Sequence, residues 1–170
     1  ELLSRQEVKN ILDSIRKKTP AVVDEVVPNI ITLGEIQKVL KSLLRERVPI
    51  RNMTTILETL ADYAPLTKDT DILIEYVRHA LARVISRQYQ SGEGKLRVLT
   101  LDPRLEEFLA ASVKKTEHTS YLAVEPKKAQ DILNKIAKEA ERVINIGEQP
   151  VILCSPQIRS HLKKFTERQL

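Results

Sequence analysis

The sequence predicts a mostly α chain with a small α/β part: a helical subdomain followed by a small α+β subdomain with a short, incomplete sheet. Three observations carry this expectation. Apolar residues recur at helical spacing through residues 4–89. The chain's only closely spaced glycines, in Ser91-Gly92-Glu93-Gly94, then mark a break. Beyond them, two short apolar runs bounded by turn residues, 96–101 and 150–154, bracket long helical stripes. The expected organisation is a helical subdomain over residues 1–90, a linker at 91–94 and a small α/β subdomain over 95–170.

Each element has its own signal. Ser4 with Glu7 has capping-box spacing, ahead of the stripe Val8, Ile11, Leu12, Ile15. Arg16, Lys17 and Lys18 suit the negative end of that helix. Thr19-Pro20 opens a short helix over 21–27, stopped before Pro28. Thr32 with Glu35 is a second capping box; the helix it starts carries Leu33, Ile36, Leu40, Leu43 and Leu44, and Pro49 is expected to break it. Met53, Ile56, Leu57 and Leu60 line the next helix, ended by Tyr63-Ala64-Pro65. Asp69 caps a longer helix whose stripe is Leu73, Val77, Leu81 and Val84, widened by Ile74 and Ile85. About five helices result.

In the second part, residues 96–101 read as a strand buried on both faces, with Arg97 reaching solvent. Asp102-Pro103 opens a helix through Leu105, Phe108 and Leu109. Residues 114–120 read as polar loop and 121–124 as extended. Glu125-Pro126 opens the most regular helix, striped by Ala129, Ile132, Leu133, Ile136, Ala137, Ala140 and Val143. Residues 150–154 read as a buried strand, and Ser155-Pro156 starts a helix with Ile158, Leu162 and Phe165.

The bulk numbers bound the functions. Of 170 residues, 42% are hydrophobic and 30% charged, which is globular rather than disordered. Trp is absent and Tyr and Phe are few, so aliphatic side chains fill the core. No apolar run approaches the ~20 residues of a membrane span. Glu1 replaces an initiator Met and no signal peptide precedes it, so the chain is expected to be an excised piece. One cysteine, Cys154, allows no internal disulfide and fits a reducing compartment.

The net charge of +5 raises the question of nucleic acid. Residues 1–90 carry 14 basic and 12 acidic side chains, the remainder 14 and 11, so neither part holds the excess. Mixed signs in KVLKSLLRER and KKAQDILNKIAKEAER describe solvated helix faces. Residues 32–63 have a helix–turn–helix look, and a nucleic-acid-binding domain is the alternative reading. Its second helix would offer Asn52, Thr54, Thr55, Glu58 and Thr59 with only Arg51 basic, poor equipment for phosphates.

Catalysis is not indicated. Cys154 lies where a strand meets a helix but lacks the flanking glycines of a nucleophile elbow, so it reads as a buried apolar filler. His79, His118 and His161 share no metal-ligand spacing, and His161 reads as a core-edge residue between Ile158 and Leu162. Glu106-Glu107 reads as solvated. No phosphate loop or dinucleotide turn is present, and no cofactor or metal is expected.

The words between the stripes say more. LLSRQEV, DEVVPNIITLGEIQKVL, LLRERVPIRNMTTILETLADYAP, DILIEYVRHALARVI, YLAVEP and PVILCSP, in this order, resemble the cytoplasmic region of the FlhA family, export-gate proteins of flagellar and type III secretion systems. The flagellar branch looks closer. The resemblance spans the whole chain and matches the C-terminal part of that region. It implies a non-enzymatic docking and ring-forming module at the cytoplasmic face of the bacterial inner membrane, reached by the membrane only through a region ahead of Glu1. The implied partners are export chaperones with their cargo, other export-apparatus proteins and further copies of the chain.

The resemblance further implies a chaperone groove beside LLSRQE and VVPNIITLG, with Leu3, Val26 and Ile31 in its apolar lining and Gly34 at its rim. Some relatives have an aromatic at the position of Leu3 and a threonine at that of Gly34. The other walls of the groove are expected to precede Glu1, and a further strand to follow Leu170. The residues themselves leave another reading open: Leu3 as a hydrophobic staple, Val26 and Ile31 as core around Pro28.

Overall fold

A computed structural model describes residues 3–116 and 120–167. The chain divides into two compact units, Glu1–Gln88 and Tyr89–Leu170. Unit 1 is helical: α1 Arg5–Arg16, α2 Pro20–Val26, α3 Leu33–Arg45, α4 Met53–Tyr63, α5 Thr70–Ala80 and α6 Ala82–Gln88. Both capping boxes form. The Glu7 side chain accepts from the Ser4 N–H at 2.6 Å and that of Glu35 from the Thr32 N–H at 2.8 Å, while each cap hydroxyl accepts from the N–H three residues on. The apolar stripes meet in one core built on Val8, Val23, Ile36, Leu40, Leu43, Ile56, Leu57, Leu60 and Val77.

Two expectations for this unit need correction. The α3 helix stops before Pro49 acts: Arg47 takes a left-handed conformation with φ +58°, its N–H bonds the Leu44 carbonyl, and the Val48 N–H reaches back to Leu43. This is a Schellman closure with arginine where glycine is usual, and buried Val48 supplies the accompanying apolar contact. Arg47→Gly is therefore expected to raise the stability of unit 1 by about 0.5–1 kcal/mol in urea denaturation, by removing the side chain's left-handed cost. The long helix expected after Asp69 is instead two. At Leu81 the N–H is shared between the Val77 and His79 carbonyls and the helix is interrupted. Leu81 itself stays buried, so the apolar period continues across the break and conceals it.

The α3 and α5 helices run in the same direction. At their C-terminal ends Glu46 pairs with Arg78. At their N-terminal ends Lys68, just ahead of α5, acts electrostatically on Glu35 in the first turn of α3. The stacked rings of Tyr63 and Tyr76, 3.7 Å apart, tie the end of α4 to α5.

Unit 2 holds β1 Leu99–Thr100, α7 Pro103–Ala111, β2 Val113–Lys115, β3 Ser120–Leu122, α8 Pro126–Asn145, β4 Ile152–Leu153 and α9 Pro156–Thr166. Its core is small: Leu109, Ile132, Ile136, Ile158 and Leu162. β1 and β4 pair in parallel, Leu99 opposite Ile152; β2 and β3 form an antiparallel pair, Val113 opposite Leu122.

Here the sequence reading is corrected more often. The two expected buried strands shrink to two residues each. Leu153 is 58% exposed, and Leu96, which lies ahead of β1, and Thr100 are exposed too, so the faces bearing these side chains are not covered. The stretch read as polar loop contributes β2, whose two lysines hid its pairing with β3; residues 117–119, His118 among them, lie outside the described residues. Cys154 is half-buried rather than buried. Glu106 is not simply solvated: its carboxylate accepts the backbone N–H of Ser155 and so holds the start of α9 against α7. His161 is buried at the core edge, its Nε2 2.9 Å from the Ser120 hydroxyl.

A candidate docking site at the start of unit 1

The N-termini of α1 and α3 lie side by side. The carbonyl of Leu3 accepts from Gln37 Nε2 at 2.9 Å, tying the segment before α1 to α3. A Cβ at Gly34 would lie 3.5 Å from the Arg5 guanidinium, so Arg5 of α1 reaches over the first turn of α3. The absent side chain at Gly34 leaves room for that arginine, and alanine would meet it at ordinary contact distance. Below this surface the Val26 carbonyl accepts the N–H groups of both Ile30 and Ile31, closing the chain around a cis Val27–Pro28 bond.

The four residues implied by the family resemblance are therefore placed unequally. Leu3, Val26 and Ile31 are core, with exposures of 6%, 0% and 2%. Gly34 is half-exposed on the surface above them. The structure brings the four to one corner of unit 1, three facing inward.

The two capping carboxylates belong to the same corner. The Ser4 backbone N–H, then its hydroxyl, holds Glu7 below the usual glutamate range; the backbone N–H of Thr32, then its hydroxyl, does the same for Glu35, with Lys68 and Lys38 adding smaller effects. A depressed carboxylate contributes stability that is present above its unfolded pKa and lost as pH falls through its folded one. The amides of residues 4–7 and 32–35 are therefore expected to lose hydrogen-exchange protection as pH drops below the ordinary glutamate range, and carboxyl NMR titrations of Glu7 and Glu35 to have midpoints below that range.

Sequence reasoning missed a second surface. Leu66 is 77% exposed in the α4–α5 connection, and Ile72 and Tyr76, one turn apart on α5, are 40% and 39% exposed. The available signal was that both lie off the Leu73–Val77–Leu81 stripe, on the face that should be polar. In unit 2, a shallow hollow lined by Ser91, Glu93, Lys95, Leu96, Arg97 and Glu148 has charges already matched as Lys95–Glu93 and Arg97–Glu148 pairs, each at 2.8 Å. Among the described residues no group of three or more His, Cys, Asp and Glu is placed to hold a metal, and no helix is long and apolar enough to cross a membrane. The α4 helix, which a DNA-reading motif would present, buries Met53, Ile56, Leu57, Thr59 and Leu60 in the core.

In its described residues the chain is a six-helix unit followed by a small α/β unit. The chain belongs to the FHIPEP family, which it matches over residues 1–170. It is 45% identical over 168 residues to flagellar biosynthesis protein FlhA of Bacillus subtilis, covering 99% of this chain and 25% of that protein, and 37% identical over 170 residues to FlhA of Salmonella typhimurium, covering 100% and 24%. The chain thus spans about a quarter of the length of these relatives. Among solved structures it resembles nonameric SctV-C of EPEC (TM-score 0.88, 31% identity, 99% of this chain and 50% of that one). It also resembles the CdsV protein of Chlamydia pneumoniae in its complex with CdsO (TM-score 0.84, 31% identity, 98% and 48%). None of these relatives favours the nucleic-acid alternative.

Proposed function

We propose that this chain is a non-enzymatic docking and ring-forming part of a flagellar protein-export gate, working at the cytoplasmic face of the inner membrane and receiving export chaperones with their cargo. The observation that supports it most is that both units together follow the fold of a relative whose structure is nonameric, over 99% of the chain. A ring member needs rigid lateral faces, and the single large core of unit 1 supplies rigidity. Docking is assigned to the corner where α1 and α3 begin. Gly34 and the Arg5 side chain form its surface, while Leu3, Val26 and Ile31 brace it from beneath. An amphipathic chaperone helix would lie across that surface, burying apolar area worth roughly 25 cal/mol per Å² before ordering costs.

The test is calorimetric titration of a purified flagellar export chaperone–cargo complex into this chain and into Gly34→Trp, which fills the surface without entering the core. Binding to the unmodified chain and at least a tenfold loss in the variant, with an unchanged melting curve, is the expected result. Equal binding by both chains moves docking elsewhere. No binding by either removes the docking role from these two units.

A further inference from the structure

Arg5 opens α1, where the helix dipole favours a carboxylate over a cation. Its guanidinium crosses to the first turn of α3, a second positive helix end. There Nη2 lies 3.5 Å and Cζ 4.0 Å from where a Cβ on Gly34 would stand. Two carboxylates belong to these same turns, and neither takes the arginine. Glu7 is engaged by the Ser4 N–H at 2.6 Å, and Glu35 by the Thr32 N–H and hydroxyl at 2.8 and 2.7 Å. Lys38 and Lys68, which act electrostatically on Glu35, add further positive charge to the corner. Among the described residues Arg5 has no hydrogen bond or ion pair, and it is exposed. The backbone that carries it is nonetheless fixed. Ser4 caps α1 just before it, and Gln37 holds the Leu3 carbonyl two residues back at 2.9 Å. An arginine set against two helix dipoles without a counter-ion costs the fold stability. Such a break with local preference marks a residue retained for contact with something else.

We propose that Arg5 is the specificity-determining contact of the docking corner, and that the partner segment it selects presents an aspartate or glutamate to the guanidinium. This inference rests on the docking reading above and names the chemistry of the partner. An amphipathic chaperone helix laid across Gly34 brings its polar edge to Arg5, and a carboxylate there accepts two parallel N–H bonds from the planar fork. The missing side chain at Gly34 leaves room for the guanidinium and the partner in the same turn. The capping boxes already occupy the amides of Ser4, Glu7, Thr32 and Glu35, so the selection resides in the side chain of Arg5 and not in open helix ends. The same charge rejects segments that offer a lysine or arginine at that point.

The test is calorimetric titration of the purified flagellar export chaperone–cargo complex into the unmodified chain, Arg5→Gln, Arg5→Lys and Arg5→Glu, each at low and at high salt. The melting temperatures of Arg5→Gln and Arg5→Glu are expected to equal or exceed that of the unmodified chain, since a cation leaves the positive end of α1. Binding to the unmodified chain is expected to weaken as salt rises. Arg5→Gln should lose about tenfold or more at low salt and less at high salt. Arg5→Lys should recover part of that loss, and Arg5→Glu should lose most. Unchanged binding by Arg5→Gln, beside the loss expected of Gly34→Trp, overturns the role of Arg5 and leaves the docking corner standing. A loss that salt does not diminish, or that comes with a lower melting temperature, also overturns it, because packing rather than charge is then at work. An unmodified chain that binds nothing overturns the docking reading, and this inference with it.

Discussion

Val26→Asp is expected to abolish the cooperative unfolding transition of unit 1. Val26 is wholly buried against the α1–α3 core, and its carbonyl organises the turn that follows α2. An aspartate there must either bury an unpaired charge or take up a proton and still lose the apolar packing; the penalty is about 4–5 kcal/mol or more. A domain of this size holds a total of roughly 4–13 kcal/mol. Circular dichroism at 222 nm during a urea titration measures the outcome. Ile31→Asp should behave alike, and Leu3→Asp should cost less, since Leu3 keeps more exposure, 6% against 0% and 2%. The experiment also bears on the docking role of these residues. A Val26→Asp chain that melts normally yet no longer binds a chaperone complex would mean that Val26 lines an accessible groove, against the bracing role proposed here.

In unit 2, Leu109→Ala is expected to cost about 2–5 kcal/mol. Leu109 is fully buried in a small core cluster with Ile132, Ile136, Ile158 and Leu162. The cavity cannot be refilled from neighbours that are themselves anchored on two other helices, α8 and α9. With so small a core, the loss is a large share of what holds the unit. Two-dimensional amide NMR should show residues 95–167 losing dispersion while those of 3–88 keep theirs. Collapse of both sets of signals together would show that the two cores are not energetically separate.

The helices were legible because their determinants are local. A capping box and its apolar stripe lie within a dozen residues, so Ser4, Thr32 and Asp69 announced their helices without any knowledge of the fold. Helix ends were less legible, because a left-handed arginine carries no mark in sequence; Pro49 looked like the stop while Arg47 had already made it. The break at Leu81 was invisible for a related reason, since a buried leucine on the expected stripe fits one long helix or two short ones. Strands were least legible. β2, with its two lysines, shows its character only when Leu122 is set opposite Val113. Likewise Glu106 becomes a cap for Ser155 only through a contact spanning 49 residues. At the corner where α1 and α3 begin, the family resemblance pointed to Leu3, Val26, Ile31 and Gly34 as a groove, while the residues themselves left a core reading open for the first three, and their burial agrees with that core reading. The exposed Leu66, Ile72 and Tyr76 patch went unnoticed, because Ile72 and Tyr76 lie off the buried stripe of their helix and Leu66 lies in a connection.

The parallel pairing of β1 with β4 has a consequence for how the chain comes to be folded. The main packing partners in unit 1 are the next helix or the next but one, so these contacts close shorter loops than the 53 residues between Leu99 and Ile152. Unit 2 cannot finish that way, because Leu99 must wait for Ile152 and the whole of α8 has to be made in between. During synthesis, the six helices can settle while the small unit still lacks its last strand and the α9 side chains of its core. The emerging chain is thus a finished half towing an unfinished one, and the half that completes last is the one with the least apolar surface to hold it.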